Sequence, residues 1–313
     1  MSRKLRFLPK PNSLVEATIR TEGCHFYLKP TPAVRDVVLG VIGKAQEKYG
    51  MVIHAVVAMS DHMHYLLSPK DTQQQALFFA FVNANIAKEL KRLFKLEGSH
   101  FWDRPFRAIV VSEEPAAQIR RLRYNLQHGV KEDLVERPSQ WPGVHSAKAL
   151  LGEEELIGTW FDRTAYYWAC HRRKPDEPAV DEDAFKTRYK VELSPLPCLA
   201  DLTDDQRHQV VREMLDDIEE LARADRKKRG VQVLGVAKIL SQPVDARPKN
   251  PKKSPAPSFH TASKEAFKQL IGAFREFCYA FREAAEKLKS GNWAVSFPPG
   301  SFPPGLPYVP MTA

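Results

Sequence analysis

Asp61-His62-Met63-His64-Tyr65-Leu66-Leu67 sets the frame for the rest of the chain. Two histidines flank one apolar residue, and an apolar run follows. Upstream, Val52 to Met59 is rich in β-branched residues and reads as a strand. Ser60-Asp61 then reads as a turn, and the second run as the returning strand. Side chains alternate along a strand, so His62 and His64 share one side, about 6 to 7 Å apart along the rise. Met63 points the other way, into a core. Two imidazoles on one rigid strand face form a two-toothed clamp for a divalent cation.

Working outward, Leu14 to Arg20 alternates and predicts a first strand. Thr31 to Tyr49 predicts a helix, with Thr31 as cap, Pro32 at the first position and Val34, Val37, Val38, Val41, Ile42 and Ala45 at helical spacing. Asp71 to Leu96 predicts a long helix, whose buried stripe is expected at Leu77, Phe78, Phe81, Ala84, Ile86, Leu90 and Leu93. Phe101 to Val111 predicts a fourth strand, and Glu113 to His128 a third helix capped by Ser112. The order β-α-β-β-α-β-α predicts an α+β fold: a ferredoxin-like antiparallel sheet with helices on one face. His62 and His64 are then expected on the open face.

The third helix carries Arg120-Arg121-Leu122-Arg123-Tyr124-Asn125-Leu126-Gln127-His128. Tyr124 and His128, four residues apart, share one helix face. A phenol, with a pKa of about 10, is a poor nucleophile until a base or cation stabilises its phenolate. A metal held by His62, His64 and His128 would polarise a phosphate that Tyr124 attacks. Tyr65, beside His64, is the alternative nucleophile.

Composition narrows the classes. The 313 residues are 43% hydrophobic and carry a net charge of +9, enough chain for two domains. No apolar run approaches the roughly 18 to 20 residues that span a bilayer. No apolar signal region follows the basic N-terminus, so no membrane is expected and a cytoplasmic location is. Cys24, Cys170, Cys198 and Cys278 are scattered, which argues against a thiolate zinc site and a disulfide framework. Charge is segmented. Residues 1–150 hold 22 Lys and Arg against 14 Asp and Glu, residues 151–225 hold 10 against 19, and residues 226–253 hold 9 against 1. A basic front and a basic arm, separated by an acidic region, suit a polyanion partner.

Residues from about 14 to 146 resemble the single-tyrosine HUH transposases, within the IS200-like family, and among them the REP-associated tyrosine transposases. The likeness rests on SDHMHYLLSP, on HFWDRPFRAIVVSEE and on RYNLQHGVKEDLVERPSQWP. It implies that Tyr124 is the nucleophile. It also implies a third metal ligand four residues on, where an amide is usual and His128 stands here; the usual Asn-Pro is His128-Gly129, which leaves Gln127 as the alternative third ligand. The activity implied is single-strand DNA cleavage and rejoining through a 5′-phosphotyrosine, with Mg²⁺ or Mn²⁺, on single-stranded or hairpin DNA. Three imidazoles would favour softer ions. Arg104, Arg107, Arg120, Arg123 and the arm Arg3 to Lys10 are candidate phosphate contacts. A catalytically silent or domesticated nucleic-acid-binding protein is the alternative function. A hydrolase using a metal-bound water is a third, and it would not need Tyr124. The sequence leaves the oligomeric state open.

The resemblance predicts a catalytic domain over 1–150 and an accessory region over 151–313, mainly helical and irregular. Within the latter, Trp160 to Cys170 reads as a short packed helix, with a base-stacking surface as the alternative, and Asp204 to Lys228 as a helix capped by Thr203. Residues 226–257 read as a basic, proline-rich linker, and 263–289 as an amphipathic helix. The tail repeats Ser-Phe-Pro-Pro-Gly from Ser296 and Ser301 as a docking strap.

Overall fold

The structure, a computed structural model, describes residues 6–98, 100–174, 176–248 and 257–304. Arg3 to Leu5 of the basic arm, and Lys249, Lys252 and Lys253 of the linker, lie outside the described residues. The first half runs β1 (Val15–Arg20), α1 (Pro32–Tyr49), β2 (Val52–Ala58), β3 (His62–Ser68), α2 (Thr72–Phe94), β4 (Arg107–Val110) and α3 (Pro115–Leu126). The four strands form one antiparallel sheet in the order β2-β3-β1-β4. This is the ferredoxin-like arrangement expected from the element order.

Local signals explain the elements. Thr31 accepts a hydrogen bond from the Val34 amide and Gly50 closes α1 with φ 64°, a left-handed end that glycine adopts without strain. Asp71 caps α2 in the same way through Gln74. The apolar stripe of α2 is rotated from the expected one. Phe78, Phe79, Val82, Ile86 and Leu90 are buried, while Leu77 and Leu93 are 46% and 44% exposed. Strand β4 is shorter than expected because Asp103-Arg104-Pro105 breaks the run, and proline has no amide to donate. Phe101 and Trp102 still pack, and Trp102 bridges Thr21. Helix α3 begins at Pro115, two residues later than expected, and the Ser112 hydroxyl donates to Glu114 rather than capping the helix.

The largest departure is that the second sheet face is not open. Ala17, Ile19, Met63, Tyr65 and Leu67 meet α1 and α2 on one side. On the other, Ala55, Val57 and Leu66 lie beneath Leu122 and Leu126 of α3 and residues from further along the chain. His64 is consequently only 6% exposed. Period-2 patterning reads a face as polar when its polar residues are histidines, but here those histidines face a second layer.

That layer combines α3 and residues 130–147 with parts of the chain beyond residue 150. After α4 (Ala147–Leu150), β5 (Ile157–Phe161) leads into α5 (Arg163–Arg172) and pairs with β6 (Lys186–Lys190). The two strands were not expected, and they lie against α1. A Cβ at Gly40 would overlap the Thr159 backbone, and one at Gly158 the Asp36 carbonyl, so two glycines permit this close approach. The expected packing of 160–170 holds only for β5. Helix α5 buries none of its residues, and Tyr167 and Trp168 are 50% and 51% exposed.

Helix α6 (Asp204–Arg229), with Thr203 in a capping box, sends Val211, Met214, Leu215 and Ile218 into the second core. Arg226 to Arg229 therefore belong to a helix rather than a linker. After α7 (Val236–Ser241), residues 245–247 lie on the β1–α1 loop, where His25 Nδ1 is 2.8 Å from the Asp245 carbonyl. Helix α8 (Lys264–Lys289) is capped by Ser263. The following strap is docked: Thr72 Oγ1 donates to the Gly300 carbonyl, and Phe297 meets Phe281. Among the described residues no helix is long and apolar enough to cross a membrane.

Candidate metal and tyrosine centre

Strand β3 and the end of α3 build the centre. Register places His62 opposite Arg20 and His64 opposite Thr18 on β1. Leu122 and Leu126 press α3 onto the same sheet face, which brings Tyr124 and His128 over β3. His62, His64 and His128 each offer a ligand atom, all within 4.8 Å of one another. The His64 ring centroid is 4.3 Å from that of His128 and 5.6 Å from that of Tyr124, and Tyr124 is 5.0 Å from His128.

The outward nitrogens are already engaged. His62 Nδ1 lies 2.6 Å from Asp61 Oδ1. His64 Nδ1 lies 3.2 Å from Thr18 Oγ1 and 3.3 Å from Glu16 Oε1. His128 Nδ1 lies 3.1 Å from the Asn125 carbonyl. A partner on one ring nitrogen fixes the tautomer and turns the other nitrogen's lone pair towards a shared centre. Three imidazoles so arranged fit a divalent cation.

Electrostatics keep His64 and His128 neutral. Burial, reinforced by His62 and Lys131 and opposed by Glu16, brings His64 down to about 4. Burial, with His64, Lys131 and His62, puts His128 well below its ordinary value. Burial alone would raise Glu16, but hydrogen bonds to His260 and His64 outweigh it and hold the carboxyl well below the usual range. Asp61 is lowered in the same manner, His62 outweighing burial.

Several residues of this centre carry no signal in the sequence. Lys131 Nζ is 3.1 Å from His128 Nε2 and 3.9 Å from the Tyr124 ring centroid. Arg121 lies 4.5 Å from the same ring and reaches Glu16 at 3.4 Å. Glu132 accepts from the Gly129 amide, and burial raises its carboxyl. Gly129, at φ 85°, supplies the left-handed turn that brings Lys131 and Glu132 back to the centre.

The remaining sequence candidates are placed as follows. Gln127 lines a hollow of about 240 Å³ with Arg123, Ile218 and Arg229, on the α6 side rather than with the histidines. Tyr65 is fully buried on the opposite sheet face, with its hydroxyl on Met63 Sδ at 3.5 Å, and burial raises its phenol. Arg123 is tied to Asp217 of α6 at 2.9 Å. Arg104, Arg107 and Arg120 are exposed, Arg104 beside Asp103 at 3.5 Å.

Residues 27–123 match the family described as "Transposase IS200 like". The match includes His62 and His64 and ends one residue before Tyr124. No curated protein matches the chain. Among solved structures, the chain is similar to a REP-associated tyrosine transposase bound to a REP hairpin. Identity is 17% over 49% of this chain and 86% of that one, with a TM-score of 0.38. It is also similar to a putative transposase from Deinococcus radiodurans, at 21% identity over 40% of this chain and 97% of that one, TM-score 0.28. A third likeness is to a bacterial tRNA(His) guanylyltransferase-like protein in complex with ATP. There identity is 12% over 66% of this chain and 91% of that one, TM-score 0.32.

Proposed function

We propose that the chain, whose residues 27–123 match the IS200-like transposase family, cuts and rejoins single-stranded or hairpin DNA through Tyr124. The observation that carries this is the meeting of Tyr124 with three convergent imidazoles on one sheet face.

In this reading Tyr124 Oη bonds to a backbone phosphorus and gives up its proton. The bond from phosphorus to the 3′ oxygen breaks, and that oxygen takes up a proton and leaves as a hydroxyl. A 5′-phosphotyrosine remains, and attack by a 3′-hydroxyl reverses the sequence and joins strands. His62, His64 and His128 hold a divalent cation, Mg²⁺ or Mn²⁺, whose charge polarises the phosphate. Lys131 and Arg121, both at the face of the Tyr124 ring, favour the phenolate and the added negative charge of the transition state. Arg104, Arg107 and Arg120 contact the DNA backbone. Residues 1–150 act as the catalytic unit, and 151–313 as the support that fixes α3.

The test is a 5′- and 3′-labelled hairpin oligonucleotide incubated with the full chain and Mn²⁺. A protein–DNA adduct carrying the label downstream of the cut is expected. Absence of any adduct, with binding intact, would leave a nucleic-acid-binding protein; cleavage without adduct would leave a hydrolase.

A further inference from the structure

We propose that His260, delivered from the C-terminal part of the chain, is a positioning residue for the His62–His64–His128 centre. It acts through Glu16. The inference rests on the metal-binding part of the function proposed above.

Glu16 lies on β1, on the same face as Thr18 and His64, and is only 4% exposed. Its two oxygens face four nitrogens. Oε1 faces His64 Nδ1 at 3.3 Å and Asn125 Nδ2 at 3.4 Å. Oε2 faces Arg121 Nη1 at 3.4 Å and His260 Nε2 at 2.7 Å. His260 is the nearest of the four. Held at Oε2 by His260, the carboxylate presents Oε1 to His64 and fixes the ring so that its other nitrogen faces His62 and His128. Without His260, the guanidinium of Arg121 would draw the carboxylate towards α3 and away from His64 Nδ1.

The segment that brings His260 is seated firmly. His260 bridges Val111 in parallel: its amide donates to the Val110 carbonyl at 2.9 Å, and its carbonyl accepts from the Ser112 amide at 2.8 Å. Phe259, pointing the other way, is 7% exposed and packs with Val15 and Val110. The Ala262 amide donates to Glu114 at 2.8 Å. Anchors at Phe259, His260 and Ala262 make an extended clip whose inward side chain is His260. Such support of a ligating histidine changes metal affinity by about 10- to 100-fold when removed from known metal sites.

The experiment compares the wild-type full chain with His260→Ala and His260→Gln, whose amide can still donate to Glu16. Mn²⁺ affinity is measured without DNA, by the loss of the free-ion electron paramagnetic resonance signal. The kcat and KM for hairpin cleavage are then measured at saturating Mn²⁺. His260→Ala is expected to weaken Mn²⁺ binding about ten-fold and His260→Gln to restore it to within about three-fold, with kcat falling and KM unchanged. Mn²⁺ binding by His260→Ala at wild-type strength would overturn the inference. So would equal weakening in both variants, or a wild-type chain that binds no Mn²⁺. A wild-type chain that binds Mn²⁺ through His62 and His64 yet forms no DNA adduct would sink the transposase chemistry and leave His260's role intact.

Discussion

Lys131 Nζ stands 3.1 Å from His128 Nε2, the nitrogen that would face a metal, while also lying 3.9 Å from the Tyr124 ring centroid. One ammonium thus stands beside both a proposed ligand and the proposed nucleophile. A cation entering the centre must displace it from His128, and the short move leaves it beside Tyr124. Lys131→Met keeps the stem and deletes the charge. It should bind Mn²⁺ about ten-fold more tightly, roughly 1.4 kcal/mol, yet form the DNA adduct more slowly. Unchanged Mn²⁺ affinity in a titration would show that the ammonium does not compete.

Tyr124→Phe removes one oxygen from a half-buried ring whose contacts with His64 and His128 are made by the ring itself. Stability should change by less than about 0.5 kcal/mol, and hairpin affinity should stay within a few-fold. Adduct and strand joining should both disappear. An adduct surviving in this variant, mapped by mass spectrometry to another residue, would remove Tyr124 from the role. Tyr65, buried on the far side of the sheet, is not accessible to replace it.

His54, His64, His128 and His145 are all buried and held below their ordinary pKa, burial being the first cause in each. The unfolded chain takes up protons on them near pH 6.5, and the folded chain does so only at lower pH. Stability is therefore full above pH 6.5 and falls as the pH drops towards 4. His145 alone, at about 4 when folded, contributes about 3 kcal/mol to this loss. Urea midpoints at pH 7.5, about 5.5 and about 4.5 should decline steadily with metal absent; a flat profile would contradict the burial of these rings.

Gly40 faces the Thr159 backbone with no room for a side chain. Gly40→Val should destabilise the whole chain by about 1 to 3 kcal/mol, as overpacking does, although glycine within a helix is ordinarily replaced at little risk. A neutral result would mean that β5 and β6 detach easily from α1.

The sheet and the pair His62/His64 were legible because strand alternation, a turn and capped amphipathic helices all agree over residues 14–128. Tyr124 and His128 were legible from helical spacing. Glu16, Lys131 and His260 were not. Glu16 is one polar residue in an alternating strand, and its partners are 48, 105 and 244 positions away in sequence. Lys131 sits in an irregular turn with no period to read. Strands β5 and β6 are five residues each and separated by α5, so neither offers the short-turn signal of a hairpin. Helix α5 is not legible as exposed because its aromatic content suggests burial that the fold does not supply.

The clip at Val111 has a counterpart on the opposite margin of the sheet, where His145 bridges Val57 and Leu193 bridges Ile53. The outermost strands β2 and β4 are thereby partly occupied by irregular segments of the same chain. An unpaired margin is a template on which a second molecule can add its own strand, whether in ordered assembly or in aggregation. Here short stretches of backbone block that templating over part of each margin of the four-stranded sheet.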